Sequence, residues 1–242
     1  TIFGWPFVIM PRMQGKQLSD NLSETFLSDA DRFEIAKAQG KVLVEAQKLT
    51  NEFSGRFDLA EGIRPYEPDW ATAYIRETVE RLQRCAGYNS RTPEGDIAWA
   101  REQLDEAREA LELFVPTFCM QDFKPGNMVV DKVDGAWKVT GLFDLMEASF
   151  GHPEADISRL YWIYTDAGRP DLAYAFIEAY LPADSPIDRF LKRFPLFMLH
   201  DRAIIWEWVQ RSDGAWWDKS LSFREWVNPF LHLDRAKVSP RL

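Results

Sequence analysis

The sequence predicts a mainly helical α+β fold carrying one β-hairpin. Three observations predict it. Several long stretches place apolar residues every three or four positions, the repeat of an amphipathic helix. Asp134-Gly135 separates the apolar run Met128-Val129-Val130 from Trp137, Val139, Leu142 and Phe143, a strong signal for a two-residue hairpin. Between the helical pattern and that hairpin lies a Pro-Gly turn crowded with polar groups.

Taken in order, Phe7 to Met10 is an apolar run consistent with a buried strand, ended by Pro11 and Gly15. Leu18 to Leu27 reads as a short helix or turn opened by Ser19 or Asp20. Helical spacing runs from Asp29 through Leu49, with Gly40 as a close-packing point, and Asn51 to Asp69 is a loop-rich connection. Further helices are expected over Trp70 to Cys85 and Glu94 to Phe114, the second stopped by Pro116. Thr117 to Met120 is short and apolar, and the hairpin follows. Helices then cover Pro153 to Thr165, Pro170 to Leu181, Ile187 to Gln210 and Phe223 to Leu233. Five late tryptophans, Trp206, Trp208, Trp216, Trp217 and Trp226, read as core rather than ligand box.

Composition narrows the function. With 242 residues the chain makes one large domain or two small ones. A net charge of −9 leaves no basic footprint for nucleic acid. No apolar run reaches membrane-span length, and the two cysteines, Cys85 and Cys119, form no disulfide framework, so a reducing cytoplasm is expected. His152, His200 and His232 lack metal-ligand spacing.

The chemistry concentrates in Asp122-Phe123-Lys124-Pro125-Gly126-Asn127 and in Gly141-Leu142-Phe143-Asp144. Asp122 can accept a hydrogen bond from a substrate hydroxyl and take its proton during attack. Lys124, two residues on, shares its face in an extended segment and suits negative charge building on a phosphoryl group. Asn127 and Asp144 supply neutral and anionic oxygens, the hard ligands Mg²⁺ selects. The hairpin brings Asp144 beside Asn127.

These residues resemble the catalytic loop of the protein-kinase-like fold, and their surroundings resemble the aminoglycoside phosphotransferase and choline kinase group. The second half matches too: Phe143-Asp144 is followed in register by Gly151-His152-Pro153-Glu154-Ala155-Asp156. The resemblance implies a kinase that uses ATP or GTP with Mg²⁺ and phosphorylates a small-molecule hydroxyl. Asp122 would be the catalytic aspartate, Asn127 and Asp144 the metal ligands, and Asp156 the brace whose carboxylate accepts loop N–H groups. Pro11 and Met13 would be the hinge, offering a C=O and an N–H to an adenine edge. The sequence departs from the pattern at Met120 (His in the family), Gln121 (Gly or Arg) and Leu145 (aromatic).

In that resemblance residues 1–15 are the last strand of an N-terminal lobe and the hinge. Residues 16–242 are the helical C-terminal lobe, with the catalytic loop at 117–127 and the metal motif at 141–156. A Gly-rich loop and strand lysine do not fit ahead of Phe7. The chain is therefore expected to be a fragment, with its N-terminal lobe a missing partner and with little activity of its own. The acceptor stays open among aminoglycosides, choline, homoserine and sugars, with Glu207, Asp213 and Asp218 as candidate readers of an amine or sugar. Met120 and Gln121 motivate an alternative, a catalytically silent binding or scaffold module. An autonomous helical domain with an unrelated ligand is the third reading.

Overall fold

The element boundaries follow local chemistry. The computed structural model describes residues 11–20, 23–58, 61–182, 185–212 and 214–238, so the expected strand Phe7 to Met10 and the carboxylate of Asp213 lie outside the described residues. Ser28 opens α1 (Asp29–Ala46) with a capping box: its hydroxyl accepts from Asp31 N at 3.1 Å, and the Asp31 carboxylate accepts from Ser28 N at 3.0 Å. Asp69 caps α2 (Trp70–Ala86) by accepting from Thr72 N at 2.9 Å. Next is α3 (Glu94–Glu109), which ends five residues before the expected Phe114. Leu113 there is fully exposed, while Phe114 sets its ring against Trp70 and His152 from a non-helical tail. Pro153 opens a 3-10 turn (Pro153–Asp156) that leads into α4 (Ile157–Asp166). Beyond it run α5 (Pro170–Tyr180) and the 26-residue α6 (Ile187–Ser212). The last expected helix is broken: α7 (Phe223–Val227) gives way to a 3-10 turn at Asn228–Phe230, because Pro229 has no N–H to continue the ladder, and α8 (Arg235–Val238) follows.

Helix accounts for 53% and strand for 14%, so the class is α+β. The strands form two antiparallel sheets. One has the order β1-β5-β6, with β1 (Lys16–Gln17), β5 (Met128–Val133) and β6 (Ala136–Leu142). Asp134 and Gly135 join β5 to β6 with φ of 55° and 81°, the two positive values a type I′ hairpin turn needs. The other has the order β3-β2-β7-β4, from β2 (Gly55–Asp58), β3 (Gly62–Pro65), β4 (Thr117–Cys119) and β7 (Ser149–Gly151). The stretch expected to be loop between Asn51 and Asp69 thus contains a hairpin. Its strands are short, mostly exposed and rich in Gly, Arg and Asp, so the period-2 apolar signal is missing.

α1 packs on α5, α4 on α5 and α6, and α2 and α3 on α6. Gly40 permits the first contact, since a Cβ there would meet the Phe176 carbonyl at 2.5 Å. Leu82, Leu104, Phe176, Phe194, Phe197 and Trp206 are fully buried in the main core. Among the described residues no helix is long and apolar enough to cross a membrane.

Candidate active site

The turn after β4 is fixed by a carboxylate more than thirty residues away. Asp156, almost wholly buried, accepts from Met120 N and Gln121 N, each at 2.7 Å. Burial pushes its pKa up to about 6, outweighing the two N–H groups that favour the charged form. Met120 is packed in the core. Gln121 has φ of 67°, the left-handed region where glycine sits without strain, and its side-chain amide donates to Ser149 Oγ at 2.8 Å.

This turn presents Asp122. Asn127, at the end of the 3-10 turn Pro125–Asn127, donates its amide N–H to the Asp122 carbonyl and to Asp122 Oδ2, both at 3.0 Å. Lys124 Nζ lies 3.2 Å from Asp122 Oδ2 and 3.8 Å from Asp20 Oδ2. Asp20 also accepts from Gly126 N at 2.9 Å, so it clasps the turn from outside. Lys124 and Asn127 therefore both touch Asp122. Asp144 joins them through the backbone: its neighbour Phe143 donates N–H to the Asn127 carbonyl at 3.2 Å. Asp144 has φ of 62° and is exposed, with no ion pair among the described residues.

Mg²⁺ fits this donor set. The Asn127 amide nitrogen is engaged by Asp122, which leaves its oxygen for a cation, and Asp144, without an ion pair among the described residues, lies one residue past Phe143, whose N–H meets the Asn127 carbonyl. Among the described residues no three His, Cys, Asp or Glu side chains cluster as a metal cage. Two protein oxygens completed by phosphate and water are what Mg²⁺ commonly takes. At the other end, Met13 lies over Gly141 on β6, the strand leading to Asp144.

Sequence reading missed Arg159, Asp201 and Arg202. Arg159 Nη1 donates to Asp122 Oδ1 at 2.6 Å, and its Nε donates to Asp201 Oδ1 at 2.5 Å. Arg202 Nε donates to Asp201 Oδ2 at 2.9 Å, and its guanidinium sits 3.8 Å from the Trp162 ring centroid. Burial alone would raise the Asp201 pKa, but Arg159 and Arg202 outweigh it and hold it low. Burial brings Arg202 down to about 10. The one signal available was that Arg159 lies three residues beyond Asp156, near the end of the second motif.

Asp122, Lys124 and Arg159 line a cavity of about 1000 Å³. Its far wall comes from α4, α2 and α6, which present residues at helical spacing: Trp162 and Asp166, Tyr74 and Glu77, His200 and Glu207. The wall charges are paired. Glu77 accepts from Arg56 and, at 2.7 Å, from Arg81; Glu207 accepts from Arg81 at 2.8 Å and Arg84 at 2.6 Å. Burial raises the Asp166 pKa. Of the expected amine readers, Glu207 reaches the cavity but is engaged by two arginines, and Asp218 instead accepts from Ser220 N at 2.9 Å and is not among the lining residues. The tryptophans divide: Trp206, Trp217 and Trp226 stack on one another, whereas Trp208 and Trp216 are more than half exposed and face the cavity.

The α+β fold thus sets a polar loop on the wall of one large cavity. Residues 1–191 match the family model described as the phosphotransferase enzyme family, APH, and the chain belongs to that family. The comparison with curated proteins gave no match.

Proposed function

We propose that the chain moves the γ-phosphoryl group of ATP or GTP to a hydroxyl of a small molecule held in the cavity. The supporting observation is the placement of Asp122, which lines the cavity with Lys124 Nζ 3.2 Å from its carboxylate. Asp122 accepts the substrate hydroxyl's hydrogen bond and directs its oxygen for in-line attack. Lys124 offsets charge developing on the transferred group. Arg159 holds the other Asp122 oxygen and so sets the carboxylate's orientation. Asn127 and Asp144 are the residues that would hold Mg²⁺, which when bound neutralises the nucleotide phosphates. Asp156 keeps the loop in shape through Met120 N and Gln121 N. Pro11 and Met13 serve as the hinge for the base, and residues 16–242 as the helical lobe carrying transfer loop and acceptor pocket.

The test is nucleotide consumption with a panel of amino alcohols and sugars, comparing the full chain with Asp122→Ala. Turnover should fall by about 100- to 10,000-fold while nucleotide and Mg²⁺ still raise the melting temperature. Unchanged turnover removes Asp122 from the mechanism.

One feature favours a second reading, a binding module without turnover. Both Asp122 oxygens are engaged, Oδ1 by Arg159 and Oδ2 by Lys124 and Asn127. That reading predicts stabilisation by nucleotide and no consumption with any acceptor.

A further inference from the structure

His200 carries a proton assignment that follows from its neighbours. Thr78 has one hydroxyl proton, and it donates it to the Tyr74 carbonyl at 2.8 Å. The Thr78 oxygen also lies 2.8 Å from His200 Nδ1, and with its proton on the Tyr74 carbonyl it accepts in that contact. We assign the ring proton to Nδ1 on that pairing. Burial holds the ring neutral, pushing its pKa down to about 4, which leaves Nε2 as a bare lone pair. One ring face is covered by Tyr74, stacked with centroids 3.7 Å apart, and His200 lines the cavity. His200 is only 3% exposed, and Nε2 has no hydrogen-bond partner among the described residues.

We propose that His200 Nε2 is a neutral hydrogen-bond acceptor that reads a hydroxyl or amine N–H on the phosphate-accepting molecule. The proposal rests on the phosphotransfer reading of the same cavity. The wall carboxylates Glu77 and Glu207 are each held by two arginines, whereas Nε2 has no hydrogen-bond partner among the described residues. The position is also coupled to the reacting end. Asp201, next in the chain, grips Arg159, which grips Asp122. A molecule bonded to Nε2 is thereby placed relative to Asp122 through two ion pairs and one helix. A compound lacking a donor at that point leaves Nε2 unpaired, a discrimination on the order of 10- to 100-fold.

Two substitutions separate this role from packing. His200→Asn retains a donor near the Nδ1 position for Thr78 but has nothing at Nε2. His200→Gln places an amide oxygen near Nε2. In the full chain the KM of whichever panel compound is turned over should rise about 10- to 100-fold in His200→Asn with kcat little changed, and return toward the original value in His200→Gln. The readout that does not depend on turnover is the nitrogen spectrum of ¹⁵N-histidine-labelled protein, titrated with ethanolamine, glycerol and glucosamine. Nδ1 should appear protonated and Nε2 bare, and Nε2 alone should shift with at least one compound. A protonated Nε2, or an Nε2 unmoved by all three, overturns the proposal. Nε2 shifting while no nucleotide is consumed overturns the phosphotransfer reading instead.

Discussion

The two ends of the cavity are held in different ways. At the loop end, Asp122 is fixed by residues two, five and 37 positions away, and Asp156 grips backbone N–H groups 35 and 36 positions away. At the helical wall, Arg81 reaches Glu207 across 126 positions and Thr78 reaches His200 across 122, side chain to side chain throughout. The loop's backbone depends on a single acceptor, Asp156, whose donors Met120 N and Gln121 N are fixed in the chain and cannot turn elsewhere. The wall is redundant, since each glutamate has two arginines and Arg81 has two glutamates. Fragility therefore belongs to the loop and tolerance to the wall.

The widest separation should come from removing one carboxylate at each end. Asp156→Ala leaves the buried Met120 N–H and the partly buried Gln121 N–H without an acceptor, and should cost about 3 kcal/mol or more. Asp156→Asn, with one good acceptor oxygen, should fall between. Glu207→Gln leaves Arg81 on Glu77 and lets the half-exposed Arg84 turn to water, so its cost should be about 1 kcal/mol. Urea unfolding at pH 7.5 measures all three. Equal costs would show that redundancy at the wall confers nothing.

The same contrast explains what the sequence made legible. The loop residues are contiguous, so the grouping of Asp122, Lys124 and Asn127 could be read from one hexapeptide, and the Asp134-Gly135 turn marked the hairpin whose return brings the Phe143 backbone to Asn127. Helices with strong apolar spacing, such as α2 and α6, were visible for the same local reason. Arg159 and Asp201 were not, because their meaning arises only where α4 crosses α6. His200 looked like an isolated histidine, since nothing nearby in sequence marks Thr78 as its partner. The β2–β3 hairpin was hidden by its exposed, polar strands, and the ends of α3 and α7 by apolar residues that continue past the last helical turn.

Acid should set the two ends against each other. His200 is buried among Thr78, Glu77, Arg81, Asp201 and Arg56, and its pKa is lowered from 6.5 to about 4. The unfolded chain then takes up that proton before the folded chain does. Its contribution is whole above pH 6.5 and is lost as pH falls toward 4, on the order of 3 kcal/mol. Asp156 runs the other way. Raised from 3.8 to about 6, it holds a proton in the fold that the unfolded chain lacks, so stability is gained as pH falls from 6 toward 3.8. In the intact chain the two partly cancel. Between pH 7.5 and 4.5 the stability gap between the chain and His200→Asn should move by about 3 kcal/mol in the variant's favour, and the gap to Asp156→Asn should move the opposite way. Gaps that ignore pH would remove both titrations from the account.

The smallest effect tests how the loop tolerates its departure at Gln121. A side chain at φ of 67° carries about 1 kcal/mol of strain, and the bond from its amide to Ser149 Oγ returns a similar amount. Gln121→Gly removes the strain and the bond together and adds freedom to the unfolded chain, so its stability should stay within about 0.5 kcal/mol of the parent. Gln121→Ala keeps the strain and loses the bond, and should be less stable by about 1 kcal/mol. Thermal melts of the two variants rank them. If alanine matches glutamine, the Ser149 bond offsets nothing, and the backbone held by Asp156 accounts for the loop's shape without help from this side chain.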